Sequence, residues 1–244
     1  MSTLREKIVQ RIYHQFEQWI GQNKLQFSCQ RGCASCCTHN VTMTATEGEL
    51  IHRFINENGR NSWFADKIQS IKNRQQLTET TNELAQKCLA AEESSTLPPE
   101  KKETVCPFLE DDSCQIYEVR PFSCRSFASV KKCRPGQAAE LPQYYISATT
   151  AGQQLIEHVG QGEYWGNMHD VLLALCDIKE NEGTAELLAS QSVADQARSR
   201  LTKAQPLPGF LIGQDEYEKV SPFILAVFND KIGEKNVEDI LNGK

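Results

Sequence analysis

Four cysteines fall within nine residues, Cys29, Cys33, Cys36 and Cys37, in the stretch FSCQRGCASCCTHN, and two of them are adjacent. A second group, Cys106, Cys114, Cys124 and Cys133, follows after a gap of 68 residues. Eight of the ten cysteines thus sit in two short windows. They can act together only if the chain between them folds so as to bring the windows into contact, and this limits the fold more than any other feature. The start of the chain, MSTLREKIVQRIYHQFEQWI, has no long apolar core and no small-residue cleavage site, so a cytoplasmic location is expected. In such a reducing compartment clustered thiols are metal ligands or redox groups more often than disulfides.

The rest of the chain reads as helical. Leu4, Ile8, Ile12, Phe16 and Ile20 recur every fourth residue, predicting an amphipathic helix over residues 3–21. Thr46 and Glu49 have capping-box spacing ahead of Leu50, Ile51, Phe54 and Ile55, with Gly59 ending that helix. A longer helical stretch follows, with Trp63, Phe64, Ile68, Ile71, Leu84, Cys88 and Leu89 on its apolar side and a break near Thr78–Thr81. The prolines of SSTLPPEKKE make a loop. EDDS reads as a turn joining CPFL and CQIY in a small hairpin. Five further stretches from Leu141 onward read as helices, among them YWGNMHDVLLALCDIKE and TAELLASQSVADQARSRL, with PLPG interrupting the series. The expected fold is mainly α, with helices around an irregular cysteine-rich metal-binding centre and one small hairpin. The expected division is a cysteine-cluster domain over residues 1–140 and a helical region over 141–244 packed on it.

At 244 residues and 39% apolar content, a core can form without metal or disulfides. The net charge of −6, with no basic block, argues against nucleic-acid binding, and no apolar run reaches the length of a membrane span.

A Cys-x2-Cys pair suits chelation because a short loop brings both sulfurs to one ion, at about 2.3 Å for zinc. Neighbouring side chains diverge by about 180° in a strand and about 100° in a helix. Cys36 and Cys37 are therefore expected to serve two different metals, or two edges of one polynuclear cluster. Eight thiolates suffice for two four-sulfur sites or for one cluster with thiols left over. The alternatives for the eight are buried free thiols and disulfides. For Cys88 and Cys176, which lack chelating neighbours, a buried thiol is the preferred reading. An all-thiolate set suits iron or zinc rather than magnesium or calcium. Iron is favoured over zinc, because eight sulfurs with a vicinal pair exceed what one zinc needs. His39 is read as a polar neighbour or an exposed residue, and the other histidines as ordinary helix residues. Arg31, Arg120 and Arg125 flank the cysteines, where guanidinium groups would offset thiolate charge. Arg120 and Arg125 are the candidate cofactor-binding residues.

The combined pattern, CxxxCxxCC followed by CPFL…C.IYEVRPFSCR, resembles the CxxCxxCC or YkgJ-like cysteine-cluster family. The resemblance covers roughly residues 25–135. It carries onto Cys29, Cys33, Cys36, Cys37, Cys106, Cys114 and Cys124, with Cys133 as the eighth in a looser context. It implies an eight-cysteine domain that chelates zinc or iron, and not a particular reaction. The spacing of Cys29, Cys33 and Cys36 is also similar to that of radical S-adenosylmethionine enzymes. Here Ser35 stands where those enzymes have an aromatic residue, Cys37 is foreign to their motif, and no strand–helix repeat flanks it. The cysteine motif is similar, too, to that of enzymes that methylate lysine in flagellin. Three functions are therefore expected in turn: a metal-binding protein with an iron–sulfur, iron or zinc centre; a cluster-dependent enzyme of methyl or sulfur transfer, such as a protein lysine methylase; and a structural zinc module that meets a protein partner through the C-terminal helices.

Overall fold

The computed structural model describes residues 3–71, 76–92, 105–134, 137–188 and 192–243. Its helices are α1 (Leu4–Gln22), α2 (Ala45–Glu57), α3 (Asn61–Gln69), α4 (Thr81–Leu89), α5 (Phe122–Ser126), α6 (Gln143–Val159), α7 (Met168–Ala174), α8 (Glu182–Ala185), α9 (Ser192–Arg198), α10 (Tyr217–Asn229) and α11 (Val237–Leu241). Its strands are β1 (Thr42–Thr44), β2 (Leu109–Glu110), β3 (Ser113–Cys114), β4 (Tyr164–Asn167), β5 (Thr202–Lys203), β6 (Lys231–Ile232) and β7 (Lys235–Asn236). The fold is mainly α. Its strands form one antiparallel sheet in the order β1-β4-β5 and two hairpins, β2-β3 and β6-β7.

Two apolar cores organise the helices. The first gathers Ile8, Ile12, Phe16 and Trp19 of α1, Tyr145 and Leu155 of α6, and Phe223 and Val227 of α10. Phe16 stands at its centre, with its ring 4.9 Å from Phe122, 5.5 Å from Phe223 and 5.7 Å from Tyr145. The second joins Ile51 and Ile55 of α2, Phe64 and Ile68 of α3, Phe108, and Val171 and Leu172 of α7. Both cores draw residues from either side of residue 140.

Several local expectations shift. α2 begins two residues early, at Ala45, because β1 pairs with β4 up to Thr44↔Trp165 and hands the chain directly to the helix. The capping box is therefore Thr44 with Glu47 rather than Thr46 with Glu49. Thr46 instead donates its hydroxyl to Glu163 at 2.7 Å. Gly59 follows the helix with φ +62°, the left-handed conformation that ends it. The long stretch after it divides into α3 and α4, with Thr80 capping α4 at the expected break. SSTLPPEKKE lies outside the described residues. YWGN, read as helix, is β4 instead, because it is paired on both sides. Of TAELLASQSVADQARSRL, Ser192–Arg198 forms α9 and the first two residues end α8. The hairpin is present but shorter than expected, with its pairing running into the expected turn at Glu110 and Ser113. Leu109 pairs with Cys114 across a two-residue turn of Asp111 and Asp112, both with positive φ, the twist that tight hairpins favour. Leu4 and Leu89, expected on apolar faces, are exposed. So is Cys88, because α4 turns Asn82 and Ala85 inward instead. Cys176 is buried, as expected.

Candidate metal centre

The first cysteine segment has little regular structure of its own and is held by backbone bonds to other segments. Phe27 anchors its start, with its ring 5.1 Å from Tyr145. The Ser28 amide donates to the Ser129 carbonyl at 2.8 Å, and the Ser28 hydroxyl to the Val130 carbonyl at 3.0 Å. Two tight turns follow, closed by Cys33 N–H to the Gln30 carbonyl and Cys37 N–H to the Ala34 carbonyl. Gly32 permits the first through φ +92°. The segment is then stitched to the second one. The Cys106 amide donates to the Cys37 carbonyl at 3.0 Å, and Thr38 bridges to Val105.

The second segment is more regular. The Leu109 amide closes a turn on the Cys106 carbonyl, and the β2-β3 hairpin presents Cys114. Cys124 lies in α5, which Ser123 ties to the Thr42 carbonyl at 2.9 Å. The buried Glu47 reinforces that position, accepting from the Phe122 amide at 2.8 Å and the Tyr13 hydroxyl at 2.7 Å.

These connections bring seven of the eight cysteines onto one cavity of about 250 Å³: Cys29, Cys33, Cys36, Cys37, Cys106, Cys114 and Cys124. The sequence segment that encloses these thiols, residues 28–144, matches a family model. That model is the CxxCxxCC family, to which the segment is similar. The family is described as "Putative zinc- or iron-chelating domain". No curated protein and no solved structure matches the chain.

Part of the cavity wall comes from outside the CxxCxxCC segment. Tyr13, Phe16, Glu17 and Ile20 of α1 and Tyr145 of α6 line it, along with Phe27. Reading α1 as an amphipathic helix on the core is correct but incomplete, since nothing in a helical period says that its face also closes a cavity. Cys133 does not line the cavity, but its charge bears on the Cys29 thiol together with those of Cys33 and Cys36. Among the described residues, no three Cys, His, Asp or Glu groups are drawn together closely enough to hold an ion. The fold thus supplies a shared chamber of thiols rather than a closed cage.

The chamber holds most of these thiols in their protonated form. Burial pushes the Cys106 thiol up to about 11 and raises Cys114 and Cys29. Burial also raises Cys124 strongly, with Cys106 and Cys114 adding to it. The vicinal pair is different: Cys37 donates to Cys36, which holds Cys36 down at about 6 and raises Cys37. A thiophilic cation among these groups would displace their protons and turn mutual repulsion into ligation. The donor set fits zinc or iron by its chemistry, being all sulfur.

The arginines stand where their charge is useful. Arg120 lines the cavity, with its guanidinium 3.8 Å over the Tyr117 ring and a buried Nε that has no hydrogen-bond partner. Its charge adds to the lowering of Cys36, which the Cys37 hydrogen bond dominates, and works against the burial that raises Cys114 and Cys124. Arg125 also lines the cavity, but its donors are engaged by Glu17 at 3.1 Å, by the Arg120 carbonyl at 2.9 Å and by the Glu118 carbonyl. Its guanidinium lies 4.5 Å over the Tyr13 ring. Arg31 is exposed, and its guanidinium lies 5.8 Å from the centre of the Tyr117 ring. His39 is buried rather than exposed, and it does not line the cavity. Its segment is held inward where its carbonyl accepts from Asn167 at 3.1 Å.

Proposed function

We propose that this chain is an intracellular holder of iron or zinc, with Cys29, Cys33, Cys36, Cys37, Cys106, Cys114, Cys124 and Cys133 as its ligands. One observation carries the reading: two cysteine groups 68 residues apart in sequence meet on one cavity. Chance burial of free thiols would not gather seven of them onto one surface while leaving Cys88 exposed and Cys176 in the second core. Thiolates accumulate negative charge as they ligate, and Arg120, stacked on Tyr117 with an unspent donor, is placed to offset it. Arg125 holds the Arg120 backbone in place. Iron leads in this reading, since eight sulfurs with a vicinal pair exceed the needs of one zinc ion. Bound metal would supply either a redox-active centre or a rigid tetrahedral clamp. The chain's own residues shield it from water through the α1 aromatics.

The test is elemental analysis and a visible spectrum of protein purified without oxygen and without added metal. Brown protein with iron and acid-labile sulfide makes an iron–sulfur centre the function. Colourless protein with zinc makes it a zinc site. Cys36→Ser and Cys106→Ser should each lower the metal content, and unchanged stoichiometry in both refutes the ligand assignment.

A further inference from the structure

The adjacent pair Cys36–Cys37 lies where two differently anchored groups of thiols meet. Cys37 belongs with the second segment, because its carbonyl holds the Cys106 amide at 3.0 Å and the next residue, Thr38, bridges to Val105. Cys106, Cys114 and Cys124 all pack against the second apolar core. Cys36 belongs on the other side. It is exposed, whereas Cys37 is half-buried. Cys29 itself follows the Ser28–Ser129 pairing, which draws in the run that carries Cys133. The two groups thus rest on different parts of the fold, and each contains four sulfurs, the number that completes a tetrahedron.

We propose, building on the chelation reading above, that the eight cysteines form two separate four-thiolate sites: an exchangeable outer site of Cys29, Cys33, Cys36 and Cys133, and a retained inner site of Cys37, Cys106, Cys114 and Cys124. Peptide geometry supports the division, because adjacent side chains diverge and so serve two ions more easily than one. The outer site opens to solvent through Cys36, where a chelator or an acceptor protein can approach. The inner site is backed by the second core and framed by the hairpin, and none of its four thiols is exposed as Cys36 is. One chain would then carry a fixed ion and a deliverable one.

The experiment uses the full chain loaded with zinc, with release followed by a chromogenic chelator and bound zinc measured on the same sample. The wild type should hold two ions and lose them in two phases, the second about tenfold slower or more. Cys33→Ser should hold one ion and keep only the slow phase. Cys114→Ser should hold one ion and keep only the fast phase. Cys36→Ser and Cys37→Ser, altering neighbouring positions, should reproduce those two outcomes respectively, which keeps the test open if Cys114→Ser fails to fold. Loss of both ions in Cys33→Ser or Cys36→Ser, or a single release phase in the wild type, overturns the two-site division while leaving chelation standing. A wild-type chain that binds neither zinc nor iron overturns chelation itself, and the division with it.

Discussion

The helical cores and the thiol centre are built by different means. In the first core, Phe16, Trp19, Tyr145 and Phe223 are buried against one another from three helices, and dispersion and apolar burial hold them. In the centre the cysteine loop has few buried side chains of its own. It is located by backbone bonds such as Ser28–Ser129 and Cys106–Cys37, and by Phe27 reaching back to Tyr145. The stability of the fold therefore resides chiefly in the helices, whereas ligand positions depend on a few polar contacts that apolar packing cannot replace.

The largest expected effect tests whether the two regions can be separated. Phe223→Ala removes a buried ring of the first core that does not itself line the cavity, although it packs against Phe16, which does, and should cost about 3–5 kcal/mol in urea unfolding. Metal content of the folded protein should not change, and loss of metal would show that core and centre form a single unit. Gly152→Ala should be next in size. A Cβ there would lie 2.2 Å from Phe122 Cζ, so that ring must move, at a cost of about 1–3 kcal/mol. Because Phe122 begins the helix that carries Cys124, this substitution should also change the reactivity of Cys124 toward a thiol reagent. Unchanged reactivity would mean that the centre does not sense the core packing.

A smaller effect concerns pH. Burial pulls the His52 imidazole down to about 4, and its Nε2 bonds the Leu172 carbonyl at 2.9 Å. With the folded-state value below the ordinary one, the neutral ring's contribution is complete above about pH 6.5 and is lost as the pH falls toward 4, at up to about 1.4 kcal/mol per pH unit. His52→Gln, which keeps a donor for Leu172, should flatten the fall in urea midpoint over that window. An equally steep fall in the variant would assign the pH dependence to other groups. The smallest effect belongs to Cys88→Ala. This exposed thiol should change stability by less than about 0.5 kcal/mol and leave metal content untouched. Any loss of metal would place Cys88 among the ligands.

Helices were the easiest feature to read because their apolar period is local. The span expected for α1, 3–21, differs by one residue at each end from Leu4–Gln22. The start of α2 was harder, because Thr44 with Glu47 and Thr46 with Glu49 carry the same capping signal in two registers. Strand pairing of β1 selected the earlier one. YWGN was misread as helix because its partners, Thr42–Thr44 and Thr202–Lys203, are distant in sequence. Cys88 was misplaced for a related reason: a helical period identifies a face, but the neighbouring elements decide whether that face is covered.

The thiol pattern already showed which cysteines form groups, since chelating spacing is a property of short chain segments. It also showed that adjacent cysteines should diverge, because that follows from peptide geometry. Which cysteines from the two segments face one another, that α1 closes their cavity, and that Arg120 rather than Arg31 stands among them were decided only by the tertiary structure. Those relations depend on contacts between residues far apart in the chain, and such contacts are set when the two cores pack.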